Sequence, residues 1–172
     1  MPHRDPADPP RRRANQRRGH GTWAGDPPPV LGAAGRETGQ VRLRVARSSA
    51  AGPLLDFVRT ATRPGAVLNT DEWVGYGGVA GTGRRHAAVR HARGRGEWAR
   101  DDDGDGVREV HNNTTEGLWA GVRTFLRPFR GVSKWFLGQY VAIVEWGYNL
   151  KVATDDFLRA LLGRTAPTNP ET

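Results

Sequence analysis

The sequence predicts a single α/β domain, and three observations carry that expectation. Short apolar or alternating runs bounded by glycine and proline fill the first half, at 30–34, 40–47, 66–70 and 86–91. Helical spacing takes over in the last third. The length, 172 residues, suits one domain with a modest core and is short for two.

Residues 1–29 are rich in Pro, Arg, Asp and Gly and carry almost no periodic apolar positions, so they are expected to form a disordered or extended basic arm. Val30 to Ala34 and Gln40 to Arg47 flank the turn Gly35-Arg36-Glu37-Thr38-Gly39, the pattern of a hairpin. Val41, Leu43 and Val45 fall on one face of its second strand, with Arg42 and Arg44 on the other. Pro53 to Thr62 has Leu54, Leu55 and Val58 at helical spacing, with proline in the first turn, and Arg63-Pro64-Gly65 stops it. Ala66 to Thr70 is a short apolar strand running into Asp71, and a glycine-bearing loop leads to a further strand at His86 to His91. Two long helices, Asn113 to Arg130 and Ser133 to Asn149, close the domain, with a short one near Asp155 to Leu162 and a tail at 164–172. Pro128 is expected to bend or end the first of them.

Lys and Arg outnumber Asp and Glu by 26 to 18, a net charge of +8, and nearly all the excess is arginine. Guanidinium binds phosphate through a planar fork, so a polyanion is the natural partner. There is no cysteine, which excludes disulfides, cysteine-based zinc ribbons and thiol catalysis. No apolar run approaches the roughly twenty residues of a bilayer span, and the basic N-terminus lacks an apolar segment, so a cytoplasmic protein is expected.

Two places concentrate chemistry. Asp71 stands where a strand ends, the position at which functional groups gather in open α/β sheets, although an Asp there also serves as a turn former or helix cap. In the 113–130 helix, about 100° per residue places Glu116, Arg123, Arg127 and Arg130 between about 260° and 320°, on one face. Leu118, Val122, Phe125, Leu126 and Phe129 occupy the opposite side, free to pack on a sheet. An acid followed by a row of arginines suits a metal-dependent enzyme of nucleic acids, in which carboxylate holds an ion and guanidinium holds flanking phosphates. It equally suits a surface helix with Glu in its first turn, where the macrodipole favours it. Asn113 lies on the same face one turn earlier, and His111 precedes it.

Several ordered blocks add to this reading: Arg11-Arg12-Arg13-Ala14-Asn15-Gln16-Arg17-Arg18-Gly19-His20-Gly21-Thr22, Thr70-Asp71-Glu72-Trp73-Val74-Gly75-Tyr76, Glu97-Trp98-Ala99-Arg100, His111-Asn112-Asn113-Thr114-Thr115-Glu116-Gly117-Leu118-Trp119, Arg127-Pro128-Phe129-Arg130-Gly131-Val132-Ser133-Lys134 and Glu145-Trp146-Gly147-Tyr148-Asn149. In this order, over residues 5–163, they resemble the ISXO2-like (IS1595) family of bacterial insertion-sequence transposases. The resemblance implies an RNase H-like fold and metal-dependent DNA cleavage and strand transfer. It implies Mg²⁺ or Mn²⁺ in a two-metal site, with Asp71 as one ligand and Glu116 or Asn113 as the last. DNA is the implied partner, at insertion-sequence ends and target, with a transposase homo-oligomer to hold it. Arg11, Arg12, Arg13, Arg17, Arg18, Arg123, Arg127, Arg130 and Lys134 are the expected DNA contacts.

In the resembled family a first catalytic Asp lies in an opening strand, upstream of the segment that here reads Arg4-Asp5-Pro6-Ala7-Asp8-Pro9. Asp5 and Asp8 each precede proline, which disfavours the middle of a central strand. The expectation is therefore an incomplete RNase H-like domain without its first central strand, defective in catalysis alone. The alternative is a non-catalytic DNA-binding or transposase-interacting remnant. Asp101-Asp102-Asp103-Gly104-Asp105-Gly106 opens like a calcium loop, but position twelve is Asn112 and no helix precedes it, so a solvated acidic loop is the expected reading. Trp119, Trp135 and Trp146 are expected in the core, with Trp73 and Trp98 open.

Overall fold

The computed structural model describes residues 21–24, 27–90, 96–150, 154, 157–159 and 162. The order is β1 (Val30–Ala34), β2 (Val41–Val45), α1 (Ala51–Ala61), β3 (Val67–Thr70), β4 (Arg85–Ala88), β5 (Ala99–Arg100), β6 (Val110–His111), α2 (Asn113–Leu126) and α3 (Lys134–Asn149). This is a mixed α/β fold. Its strands pair two by two: β1 with β2 and β5 with β6 antiparallel, β3 with β4 parallel.

The β1–β2 hairpin forms where alternation placed it. Gly35 N–H donates to Gln40 O at 2.8 Å and Gly39 takes φ 61°, which glycine reaches without a Cβ penalty. Ala46 N–H donates to Pro29 O, so the residues bonded across the hairpin alternate with residues whose polar backbone faces outward. On β2 the outward set includes Val41 and Leu43, and α3 covers it: Asn149 Oδ1 accepts from Val41 N–H at 2.7 Å, Asn149 Nδ2 donates to Val41 O at 2.9 Å, and Glu145 Oε2 accepts from Leu43 N–H at 2.6 Å. One helical turn separates Glu145 from Asn149, so the two side chains replace a neighbouring strand along that edge. On β1 the outward set is Val30, Gly32 and Ala34, and no strand among the described residues pairs there. The same holds for the edge of β3 that carries Val67 and Asn69, because Ala66 O and Thr70 O are bonded to Arg85 and Val89 on the β4 side.

Two apolar clusters follow this division. Val41, Leu118, Val122 and Val144 join the hairpin to α2 and α3, with Trp119, Phe125 and Leu126 packed around them. Leu54, Val58 and Val79 join α1 to the segment after β3, with Leu68, Trp73 and Tyr76 around them. α1 begins at Ala51, before Pro53, because proline's missing N–H costs nothing in a first turn. Arg84, only 8% exposed, closes its far end by donating to Arg59 O and Thr62 O, carbonyls that the helix leaves free.

Two expectations are corrected, the end of α2 and the burial of two tryptophans. α2 stops at Leu126, and Arg127–Phe129 form a 3-10 turn around Pro128, with Arg130 left-handed at φ 49°. That turn carries Phe129 out of the apolar stripe; it is 44% exposed, meets Tyr140 edge-on and lies tilted against Phe125. Trp135 and Trp146 are 45% and 47% exposed, not core, because α3 buries only the stripe containing Leu137, Val141 and Val144 against the hairpin. Trp119 does pack on the core. Part of the stretch read as an arm is docked on the domain: Thr22 bridges Ser48, and Trp23 N–H donates to Arg47 O. Of the short final helix, 157–159 are helical, Leu162 N–H donates to Leu158 O at 3.0 Å, and 155, 156, 160 and 161 lie outside the described residues.

Candidate functional site

The strand β3 delivers Asp71 to its C-terminal end. Asp71 Oδ1 accepts from Trp73 N–H at 3.2 Å, the local turn that Asp favours, and Oδ2 has no hydrogen-bond partner among the described residues. Thr70, 8% exposed, donates its hydroxyl to Asp71 O at 2.7 Å and meets His86 Nε2 at 2.8 Å. A side-chain chain from β4 therefore fixes the strand end that presents Asp71. Tyr76 stands beside it; burial pushes its phenol pKa up, and the Asp71 charge adds to the shift. Burial holds the His86 imidazole below its usual range.

The second block begins α2. Asn112 O accepts from Thr115 N–H and Glu116 N–H, both at 3.1 Å, which starts the helix at Asn113. Asn113 and Glu116 are both exposed in its first turn, where partial positive charge favours an acid. His111, the last residue of β6, is half-buried with its Nδ1 unpartnered among the described residues. Burial and the nearby Arg36 cation push its pKa below the usual imidazole range.

Arg36 brings the two blocks together. Its guanidinium reaches out of the β1–β2 turn and donates to Glu109 O and His111 O, just before α2. With its oxygen turned inward, the Asn69 amide accepts from the same guanidinium at 3.1 and 3.2 Å. Asn69 is two residues from Asp71, and His111 two from Asn113, so one side chain ties the approaches to both candidate ligands. β6 also lies against β3 and β4. Sequence reasoning passed over Arg36 as a turn residue; its setting between two glycines is the only sign it carried.

Among the arginines, Arg123 lies on α2, on the Glu116 face, and Arg127 and Arg130 follow in the turn beyond it. All three are exposed, and none has an acidic partner among the described residues. Lys134 is placed differently: it is 8% exposed, its ammonium donates to Trp23 O at 3.0 Å, and it sits over the rings of Trp23 and Trp135. Arg11, Arg12, Arg13, Arg17 and Arg18 lie outside the described residues.

Asp71, Glu116 and Asn113 each offer a side-chain oxygen, the donor type that a hard divalent cation takes. Among the described residues, the group of three acids close enough to share one ion is Asp101, Asp103 and Glu109, and neither Asp71 nor Glu116 belongs to it. The groove between β2 and α3, lined by Leu43, Val141, Glu145 and Asn149 among others, is a different place; its Glu145 and Asn149 side chains are already engaged with the β2 edge. Sequence reasoning gave Glu145 and Asn149 no role beyond membership of a block.

Asp71 ends a strand and Asn113 and Glu116 start a helix on a mixed α/β scaffold, and Arg36 links the approaches to the two places. The family comparison is more particular: the ISXO2-like transposase domain matches residues 5–149, and the chain belongs to that family. Neither a curated protein nor a solved structure matches it. No helix among the described residues is long and apolar enough to cross a membrane.

Proposed function

We propose that this chain forms an RNase H-like DDE-type transposase domain, over residues 30–163, that acts on the DNA ends of an insertion sequence. Asp71 is its central metal ligand, and Glu116 or Asn113 the last. The observation that carries the reading is Arg36, which ties the approach to Asp71 and the approach to α2 within a matched transposase domain. Bound Mg²⁺ or Mn²⁺ would supply activation of a water or 3′-hydroxyl and neutralise charge on the leaving oxygen.

The residues of this chain do the rest. Thr70 and His86 hold the strand end so that Asp71 Oδ2 stays free toward a cation. Arg123, Arg127 and Arg130 meet phosphates flanking the scissile bond, and the 11–18 arginines extend that contact along the duplex. Lys134 is left out of this surface, because its ammonium is committed inside the fold.

The edges of β1 and β3 that no strand pairs among the described residues support a further element of the reading: a strand that pairs with both and carries a third carboxylate next to Asp71. Without that strand, these residues hold two ligands of a three-ligand site and cleave poorly, and the chain acts through its DNA-binding face in a transposase oligomer. Divalent-metal-dependent nicking of DNA that is abolished by Asp71→Ala tests the catalytic reading. Salt-dependent DNA binding indifferent to Asp71→Ala and Glu116→Ala, with no nicking under any completion of the sheet, would leave only the binding role.

A further inference from the structure

The turn that follows α2 exposes an aromatic ring among arginines. Residues 127–131 are all exposed, and Phe129 stands at 44% in their middle. The 3-10 turn Arg127–Phe129 is closed by Arg130 N–H, which donates to Arg127 O at 3.1 Å. Pro128 fixes one φ inside it and leaves the turn little freedom. Arg130 then takes φ 49°, the one positive φ of a non-glycine among the described residues, and such a conformation persists only where the surrounding structure holds it. Gly131 follows at φ 116°. The ring itself is held as well, with Tyr140 edge-on at 4.8 Å between centroids and Phe125 tilted at 5.6 Å.

An exposed phenylalanine by itself is ordinary. Its setting is not: Arg127 and Arg130 flank it, both without an acidic partner among the described residues, and the chain carries no acid between Glu116 and Glu145. An apolar protein surface that reached this ring would strip water from two guanidiniums and give them nothing in return. A nucleic-acid strand with unpaired bases offers both groups a partner, phosphates for the guanidiniums and the flat face of a base for the ring. In a closed duplex the base faces are already stacked on one another, so only the phosphates remain on offer.

We propose that the 127–130 turn binds DNA at unpaired bases, with Phe129 stacking on one base while Arg127 and Arg130 hold the phosphates beside it. The proposal rests on the reading that DNA is the partner of this chain, and it narrows that reading to a class of substrate: a single-stranded or melted segment in preference to closed duplex. The arginines alone cannot make this distinction, because they meet the phosphates of either form. Phe129 makes it. Phe125 and Tyr140 are positioning residues that keep the ring presented.

Fluorescence anisotropy of the full chain tests it, with a thymidine single strand of about twenty nucleotides and a closed duplex of the same length as probes. Phe129→Ala should weaken single-strand binding about tenfold or more, leave duplex affinity within about twofold, and change neither salt slope. Phe129→Tyr should retain single-strand affinity. Phe129→Leu keeps apolar contact with Phe125 and Tyr140 but has no ring; it should lose that affinity as alanine does, and it decides the matter should Phe129→Ala fail to fold. Arg127→Ala/Arg130→Ala should weaken both forms and lower both salt slopes by roughly 1.5–2. If the parent binds both probes and Phe129→Leu weakens them equally, or weakens neither, the stacking role is overturned and the DNA reading stands. Binding of neither probe by the parent chain would overturn the DNA reading and this proposal with it.

Discussion

Replacing Asn149 by alanine removes the cap on the outer edge of β2 and gives the sharpest stability prediction. The side chain makes two hydrogen bonds to one residue, accepting from Val41 N–H at 2.7 Å and donating to Val41 O at 2.9 Å, and Val41 is 3% exposed. Each buried backbone group left unmade costs about 1–3 kcal/mol, and limited access of water to the vacated space brings the pair to roughly 2–4 kcal/mol. At about 2–4 °C per kcal/mol for a domain of this size, Tm falls by roughly 5–15 °C. Asn149→Asp keeps the acceptor and loses the donor, so it should lose about half as much. Gln139→Ala, at an exposed position on the same helix, is the control and should stay within about 0.5 kcal/mol. Urea unfolding of the three variants reads the effect directly. An Asn149→Ala loss no larger than that of Gln139→Ala would refute the edge-capping argument.

Gly32→Ala should destabilise by about 1–3 kcal/mol in thermal melts, because a Cβ there meets the Trp119 ring at 2.9 Å and Leu43 at 3.0 Å. A melt equal to the parent's would show that the hairpin and α2 are not closely packed. Lys134→Ala should cost about 1–3 kcal/mol in unfolding yet leave DNA affinity unchanged, since its ammonium is bonded to Trp23 O; lost affinity with intact stability would return Lys134 to the DNA surface. Arg123→Ala and Arg127→Ala should each lower DNA affinity and reduce the salt slope by about one in anisotropy titrations, and an unchanged slope would remove them from the interface. His86 and His111 have folded pKa values below the unfolded 6.5, so the unfolded state binds protons first and stability falls as pH drops through that range. Urea unfolding between pH 7 and 5 should show that loss, and a His86→Gln/His111→Gln variant should flatten it; equal slopes would contradict the assignment.

Much of the fold was legible because period and punctuation agreed. The alternation of Val41, Leu43 and Val45 around a glycine-bounded turn defined the hairpin, and Ser133 to Asn149 matched α3 within one residue. The end of α2 was harder, since proline late in a helix can either kink it or stop it, and here it opened a 3-10 turn that broke the arginine row after Arg123. Trp135 and Trp146 misled because aromatic spacing on a helix does not reveal that only one stripe is covered. Asp71 could be placed at a strand end from the chain alone. The roles of Arg36, Glu145 and Asn149 could not, since each acts on backbone atoms more than thirty residues away in sequence. Long-range side-chain to backbone bonds leave no periodic trace.

The central claim is that Asp71 belongs to a metal site completed by a strand between β1 and β3. Its most direct test is Mn²⁺- or Mg²⁺-dependent nicking of insertion-sequence end DNA, measured for the 172-residue chain and for a version extended by an added N-terminal strand that bears one Asp. The account predicts cleavage by the extended chain only, abolished by Asp71→Ala. Robust cleavage by the 172-residue chain, lost on Asp71→Ala, would contradict the need for a further strand; cleavage by the extended chain that survives Asp71→Ala would contradict the site itself.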